Sequence, residues 1–417
     1  MKLQTINLVR STYFKVLCTI FVLAALIFYS FKVGLFTVKH LFAVVLFATI
    51  LLNIGKFIFR FELGFKLYGC LIIYHLLVIN FNGDVSQIEV FDLIFGKYLI
   101  WLVTYIFFFN FFSAYSNQIF FIKILLFFAF INSLVTILQF FKVPYVWNFT
   151  NLLFSSITYL DEGLVEVGDT VFNGSLFGIV GNVVYNGYLL SAILPFCIYF
   201  IKNYSGRNKI FYLVLSLLVF ATSVIALVML QQRTALMIGL AFLFLLFVKK
   251  ISISTLAFCA LSVLVLYFSY DAVLDGVKSL LNVEYLRIED LKDMDRASVY
   301  TLIPGYLAKY YFFGGISNYY VFIHPIAILP HNIFLNSFIY FGLIGFCIFF
   351  YLTVIMMKTV LNGIKSDGLA YFSALAFFGY WLNGLTHNLS IVTGDIFIWV
   401  LYLLLFQTKR LSKNRYA

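Results

Sequence analysis

His331-Asn332-Ile333-Phe334-Leu335-Asn336-Ser337-Phe338-Ile339-Tyr340-Phe341-Gly342-Leu343-Ile344-Gly345 carries the chain out of its one long polar segment and into an apolar run. The polar segment covers about 271–330, and the apolar run extends to about 357. A helix needs about 20 apolar residues to cross a bilayer's hydrocarbon core. The stretch therefore reads as the water-facing mouth of a membrane helix. A histidine placed there can take or give a proton near neutral pH.

Working outward, the same kind of run recurs along the whole chain. Hydrophobic residues make up 63%, charged residues only 11%, and mean hydropathy is +1.02, which excludes an ordinary soluble domain. Twelve apolar spans stand out, at about 12–31, 35–54, 67–81, 98–115, 119–141, 175–201, 209–230, 234–248, 251–270, 332–357, 369–386 and 392–406. The expected fold is all-α: a polytopic integral membrane protein of about twelve transmembrane helices. No Gly/Ser-rich linker or charge run divides it, so residues 1–417 read as a single membrane domain, with a large, partly helical external loop at 271–331 before the tenth span. The first span has no small-residue cleavage site and is read as a retained helix.

Charge sets the expected orientation. With the N-terminus in the cytoplasm, the inside loops collect Lys56, Arg60, Lys66, Lys123, Arg207, Lys249, Lys250, Lys358 and Lys365, among others, with Glu62 and Asp367 as the acids on that side. The remaining acids fall outside. Lys/Arg bias in short loops is the signal that sets topology, and it alternates through every loop, leaving both termini inside. The formal charge of +11 is thus read as topology and anionic-lipid contact, not as a nucleic-acid footprint. The five cysteines all lie in spans without a CxxC pair, so neither a disulfide framework nor a zinc site is expected.

A few residues break this pattern. Arg233 stands in a tight external turn, Gln231-Gln232-Arg233-Thr234-Ala235. Its guanidinium either snorkels to the interface or forks onto a diphosphate. Arg296 follows Asp293 and Asp295 in the large loop, where the alternatives are a surface ion pair and an anion contact. Lys309, farther along, is either solvated or a supporting anion contact. Asn332 could cap the helix it precedes, and Gly342 and Gly345 could serve close packing. Gly181-Asn182 and Asn186 form a polar notch in the sixth span, open to interhelical hydrogen bonding or to contact with a sugar or lipid headgroup. The external acids have no metal-ligand spacing, and no phosphate-cradling glycine loop is present.

Three of these pieces together resemble the O-antigen ligase/polymerase family of bacterial envelope glycosyltransferases. They are Arg233-Thr234-Ala235 opening a span, Arg296 through Gly314-Gly315, and His331-Asn332-x9-Gly342-x-x-Gly345. The resemblance covers about 175–346 and implies a helical-bundle fold in the inner membrane. It also implies transfer of glycan from an undecaprenyl-diphosphate-linked oligosaccharide on the periplasmic face, without metal, nucleotide sugar or other cofactor. Carried over, Arg233 and Arg296 would bind the diphosphate and stabilise it as leaving group. His331 would act as general base on the attacking hydroxyl, with Asn332, Lys309, Asn182 and Asn186 contacting substrate. A polymerase is favoured, with a growing glycan as acceptor and a chain-length regulator as partner. The alternatives are a ligase using lipid A-core and, from a different class, a transporter or flippase of lipid-linked oligosaccharide. A transporter is expected to show internal repeats and mid-membrane ionisable residues, and no repeat is evident. The large loop is acidic overall, so bulk charge leaves acceptor recognition unexplained.

Overall fold

The computed structural model describes residues 12–23, 32–33, 36–82, 93–154, 164–167, 170–173, 176, 178–180, 183–230, 233–247, 312–314, 332–385 and 395–413. Helices dominate them: α1 (Thr12–Val22), α2 (Val38–Leu52), α3 (Leu63–Asn82), α4 (Ile100–Phe111), α5 (Tyr115–Phe140), α6 (Pro144–Phe154), α7 (Val183–Lys202), α8 (Lys209–Leu230), α9 (Arg233–Phe247), α10 (Ile333–Ile364), α11 (Leu369–Asn383) and α12 (Ile396–Lys413). Each expected span overlaps one of these helices except the ninth, 251–270, which lies outside the described residues. The short α6 is an additional helix between the fifth and sixth expected spans. Five segments are long and apolar enough to cross a membrane: Ile94–Phe111, Tyr115–Phe140, Val184–Lys202, Lys209–Leu230 and Ile333–Ile364.

The protein is therefore an α-helical membrane protein, with two small departures from all-α. Strand β1 (Lys32–Val33) pairs with β2 (Phe36–Thr37), and β3 (Leu164–Val167) pairs antiparallel with β4 (Thr170–Asn173). The second ribbon pairs β formers, Val165 with Phe172 and Val167 with Thr170. Its four-residue strands are too short to rise above the helical periodicity around them.

The chain groups into two compact units that interleave in sequence: Met1–Ala25, Val33–Phe121 and Asp290–Ala417 form the first, and Leu26–Lys32 with Ile122–Glu289 form the second. Interleaving leaves no single linker, which is why composition gives no place to cut. In the first unit α3 packs on α10, α4 packs on α2 and α12, and α10, α11 and α12 pack on one another. In the second, α7 packs against both α8 and α9.

Phenylalanine supplies much of the first core. Phe107 stacks on Phe14 and Phe111, and Phe108 meets Phe21, Phe112 and Phe121 edge-on or tilted. Polar side chains in this core go to backbone groups that helices leave unsatisfied. Asn110 accepts from the Ile58 amide at 2.8 Å and donates to the Ile58 carbonyl at 3.1 Å, holding the extended approach to α3. Asn117 and Gln118 donate to the carbonyls of Phe111 and Phe112 at the end of α4.

Candidate functional site

Asn332 is the N-cap of α10. Its backbone is extended, and its side-chain oxygen accepts from the amides of Phe334 (2.9 Å) and Leu335 (3.1 Å). Two donors exposed by the helix start are satisfied in this way. The same side chain donates from Nδ2 to the Leu385 carbonyl at 3.2 Å, and the Ile333 amide donates to Gly384 at 3.0 Å. The start of α10 is thereby tied to the end of α11. Of the two readings open for Asn332, the cap is the one these bonds describe.

The glycine half of the motif is a break. α10 counts 32 residues, about 48 Å at 1.5 Å per residue, against a hydrocarbon core of about 30 Å. At Gly342 the backbone leaves helical geometry, with φ 61° and ψ −170°, a region open to glycine alone. Gly314 also has positive φ, 68°, and the two glycines meet backbone to backbone. A methyl on Gly342 would lie 2.6 Å from the carbonyl carbon and oxygen of Phe312, and nearer still to the Gly314 nitrogen. The Phe312 carbonyl accepts from the Ile344 amide at 3.3 Å, re-pairing a donor released by the break. Tyr74, from α3, donates its hydroxyl to the Phe313 carbonyl at 3.1 Å. Gly345 remains helical, and a methyl there would meet the Phe341 Cβ first and Tyr74 at 2.8 Å. Packing therefore explains Gly345, whereas Gly342 is a chain crossing.

Behind the crossing lies a histidine that the sequence reading passed over. His75, in α3, is fully buried, its Nδ1 is 2.5 Å from the Tyr98 hydroxyl, and its ring meets Phe341 edge-on at 5.0 Å. A lone histidine inside the apolar span 67–81 was the available signal.

The polar notch has a structural occupant of its own. Asn186 is fully buried; it accepts from Asn132 at 2.6 Å and donates to Thr136 (3.0 Å) and the Leu176 carbonyl (3.3 Å). Asn132 in turn accepts from the Ile179 amide, and Gln139 accepts from the Gly178 amide. Asn132, Thr136 and Gln139 project from one face of α5 at helical spacing and clamp the turn before α7. Interhelical bonding thus engages the whole side-chain amide of Asn186.

Arg233 opens α9, at the position expected for it. His331, Arg296, Lys309 and Asn182 lie outside the described residues, as does most of the loop 271–331. Among the described residues, no group of three His, Cys, Asp or Glu side chains gathers as a metal site. What fold and site define is thus a helical membrane protein with a capped, broken helix at its sequence motif. The chain matches no family model, no curated protein and no solved structure.

Proposed function

We propose that this protein is an envelope polysaccharide polymerase that transfers undecaprenyl-diphosphate-linked glycan to an acceptor glycan. In this reading the chain crosses the bacterial inner membrane twelve times with both termini in the cytoplasm, and the chemistry takes place on the periplasmic face. His331 takes the proton of the attacking hydroxyl. Arg233 and Arg296 bind the diphosphate, carry the negative charge that develops as the glycosidic C–O bond breaks, and hold the leaving group. The attacking oxygen forms the new bond at the sugar carbon, so atoms and charge balance without metal or cofactor.

The observation that supports the reading is the meeting of Gly314 with Gly342. Two pieces of the resemblance, Gly314 and Gly342, stand 28 residues apart in sequence and meet backbone to backbone, both at positive φ. A chance assembly of short motifs carries no such expectation.

Glycan transfer is tested with the purified full chain and a synthetic lipid-diphosphate repeat unit. Polymer formation that disappears in His331→Ala, Arg233→Ala and Arg296→Ala variants supports the assignment. No transfer by the wild type, or full activity in all three variants, refutes it. In a deletion strain, core capped by a single repeat identifies a polymerase. Loss of all attached repeats with accumulation of lipid-linked polymer identifies a ligase.

A further inference from the structure

The Gly342 break leaves Ile333–Phe341 as a separate half-helix, and that half carries an unexplained group. Asn336 is fully buried, and neither atom of its side-chain amide has a hydrogen-bond partner. Native structures seldom tolerate such a group unless a ligand, ion or water answers it. One turn on, Tyr340 lies under the Lys97 ammonium, which is 5.4 Å from its ring centroid and 5.8 Å from that of Tyr98. Residues 336 and 340 share a helix face, so the amide and the ammonium address neighbouring positions.

Lys97 is itself out of place. It stands in a π-helical turn, Ile94–Leu99, at the head of the apolar segment Ile94–Phe111. Ionisable residues in such segments are costly and mark functional sites. π-turns and interrupted membrane helices mark them as well. These signals arise on two elements of the first unit, the π-turn and the broken α10, and meet where Lys97 lies over Tyr340.

Their chemistry selects the ligand. Lys97 and the Asn336 amide nitrogen both donate, which suits phosphate oxygens. The Asn336 oxygen accepts, which suits a hydroxyl. Tyr340 lies seven residues past the start of α10, about 10 Å along the axis. At that depth a free anion loses its hydration, whereas a phosphate tethered to a hydrocarbon chain is carried in by its tail.

We propose that Lys97 and Asn336 bind a lipid-borne phosphate at the break in α10. The site deepens the transferase reading, and rests on it for naming that lipid as the diphosphate donor.

The test uses the full chain in phosphatidylcholine nanodiscs, titrated calorimetrically with farnesyl diphosphate, farnesol and inorganic pyrophosphate. Expected are binding of farnesyl diphosphate, none of farnesol, and pyrophosphate at least about tenfold weaker. Lys97→Gln and Asn336→Leu should each weaken farnesyl diphosphate by about tenfold or more, the loss of one charge-assisted hydrogen bond. Asn336→Leu should melt no lower than wild type, since it removes an unpaired buried amide. Wild-type affinity in both variants overturns the site and leaves the transferase reading standing. Equal affinity for pyrophosphate overturns the lipid requirement, and a lower melting point for Asn336→Leu overturns the premise of an unpaired amide. Failure of the wild type to bind farnesyl diphosphate overturns this site alone, whereas the transferase reading falls only with the glycan-transfer assay.

Discussion

Gly342→Ala isolates the chain crossing. Two costs add. At φ 61° and ψ −170° an L-residue is held in a region costing about 1–3 kcal/mol. The new methyl also meets backbone of Phe312 at 2.6 Å, and main chain cannot step aside as a side-chain tip can, so overpacking adds a further ~1–3 kcal/mol. The expected loss is about 2–6 kcal/mol. Two glycines calibrate it. Gly345→Ala meets the Phe341 Cβ and the Tyr74 ring but keeps helical backbone, so it escapes the φ cost and should lose less. Gly69→Ala, inside α3 with nothing within 4 Å of the added methyl, should gain up to ~1 kcal/mol from helix propensity. Thermal unfolding of the detergent-solubilised variants should rank Gly69→Ala above wild type, then Gly345→Ala, with Gly342→Ala lowest. A Gly342→Ala protein that melts with or above Gly345→Ala refutes the crossing.

Asn332→Ala should lose about 1–2 kcal/mol through the cap. Asn332→Asp, which keeps the accepting oxygen but lacks the donor to Leu385, should recover most of that loss in the same melt. Asn186→Ala opens the network with Asn132, Thr136 and the Leu176 carbonyl and should cost ~2–4 kcal/mol. Its KM for the lipid donor should stay unchanged, and a raised KM with an unaltered melting point would return Asn186 to the substrate site. Glu62, at the entrance to α3, has its carboxyl pushed up from 4.5 to about 7 by burial, against a lowering hydrogen bond from Tyr402 at 3.3 Å. Because the folded state favours the proton, this contribution is complete below pH 4.5 and is lost as pH rises through about 7, by up to ~3 kcal/mol. Melting temperature should fall across that window in wild type and not in Glu62→Gln.

The helices were legible because apolar runs announce themselves by length alone: α8 and α10 need no tertiary context to be found. Asn332 as a cap was also visible, since an asparagine before an apolar run has a short-range geometric use. Less visible was whatever depends on a distant partner. Spacing marks Gly342 and Gly345 alike, yet one is a break and the other a packing contact, because Phe312 to Gly314 crosses at the first and the Tyr74 ring abuts the second. The Asn186 notch was legible as polar, but its partners Asn132 and Thr136 lie about fifty residues earlier, at sequence separations of 54 and 50. Lys97 is hidden in the sequence because it falls one residue before the expected start of its span, and the π-turn that carries it into the apolar segment leaves no mark in periodicity.

The nine-residue spacing in the His-Asn-x9-Gly motif acquires a physical meaning from these contacts. The half-helix Ile333–Phe341 is pinned at both ends, above by the cap and by the tie of Ile333 to Gly384, and below by the Gly314 crossing. Nine residues at 1.5 Å each set its ends about 13 Å apart, and 3.6 residues per turn set which face it presents. One residue more or fewer would rotate Tyr340 about 100° away from Lys97 and His75 and carry Asn336 round with it, while leaving hydropathy almost unchanged. A segment needed only for crossing a membrane has no reason to hold such a register. A segment that must present particular side chains at a set height does, and this separates a site from a spacer more sharply than any single residue in the motif.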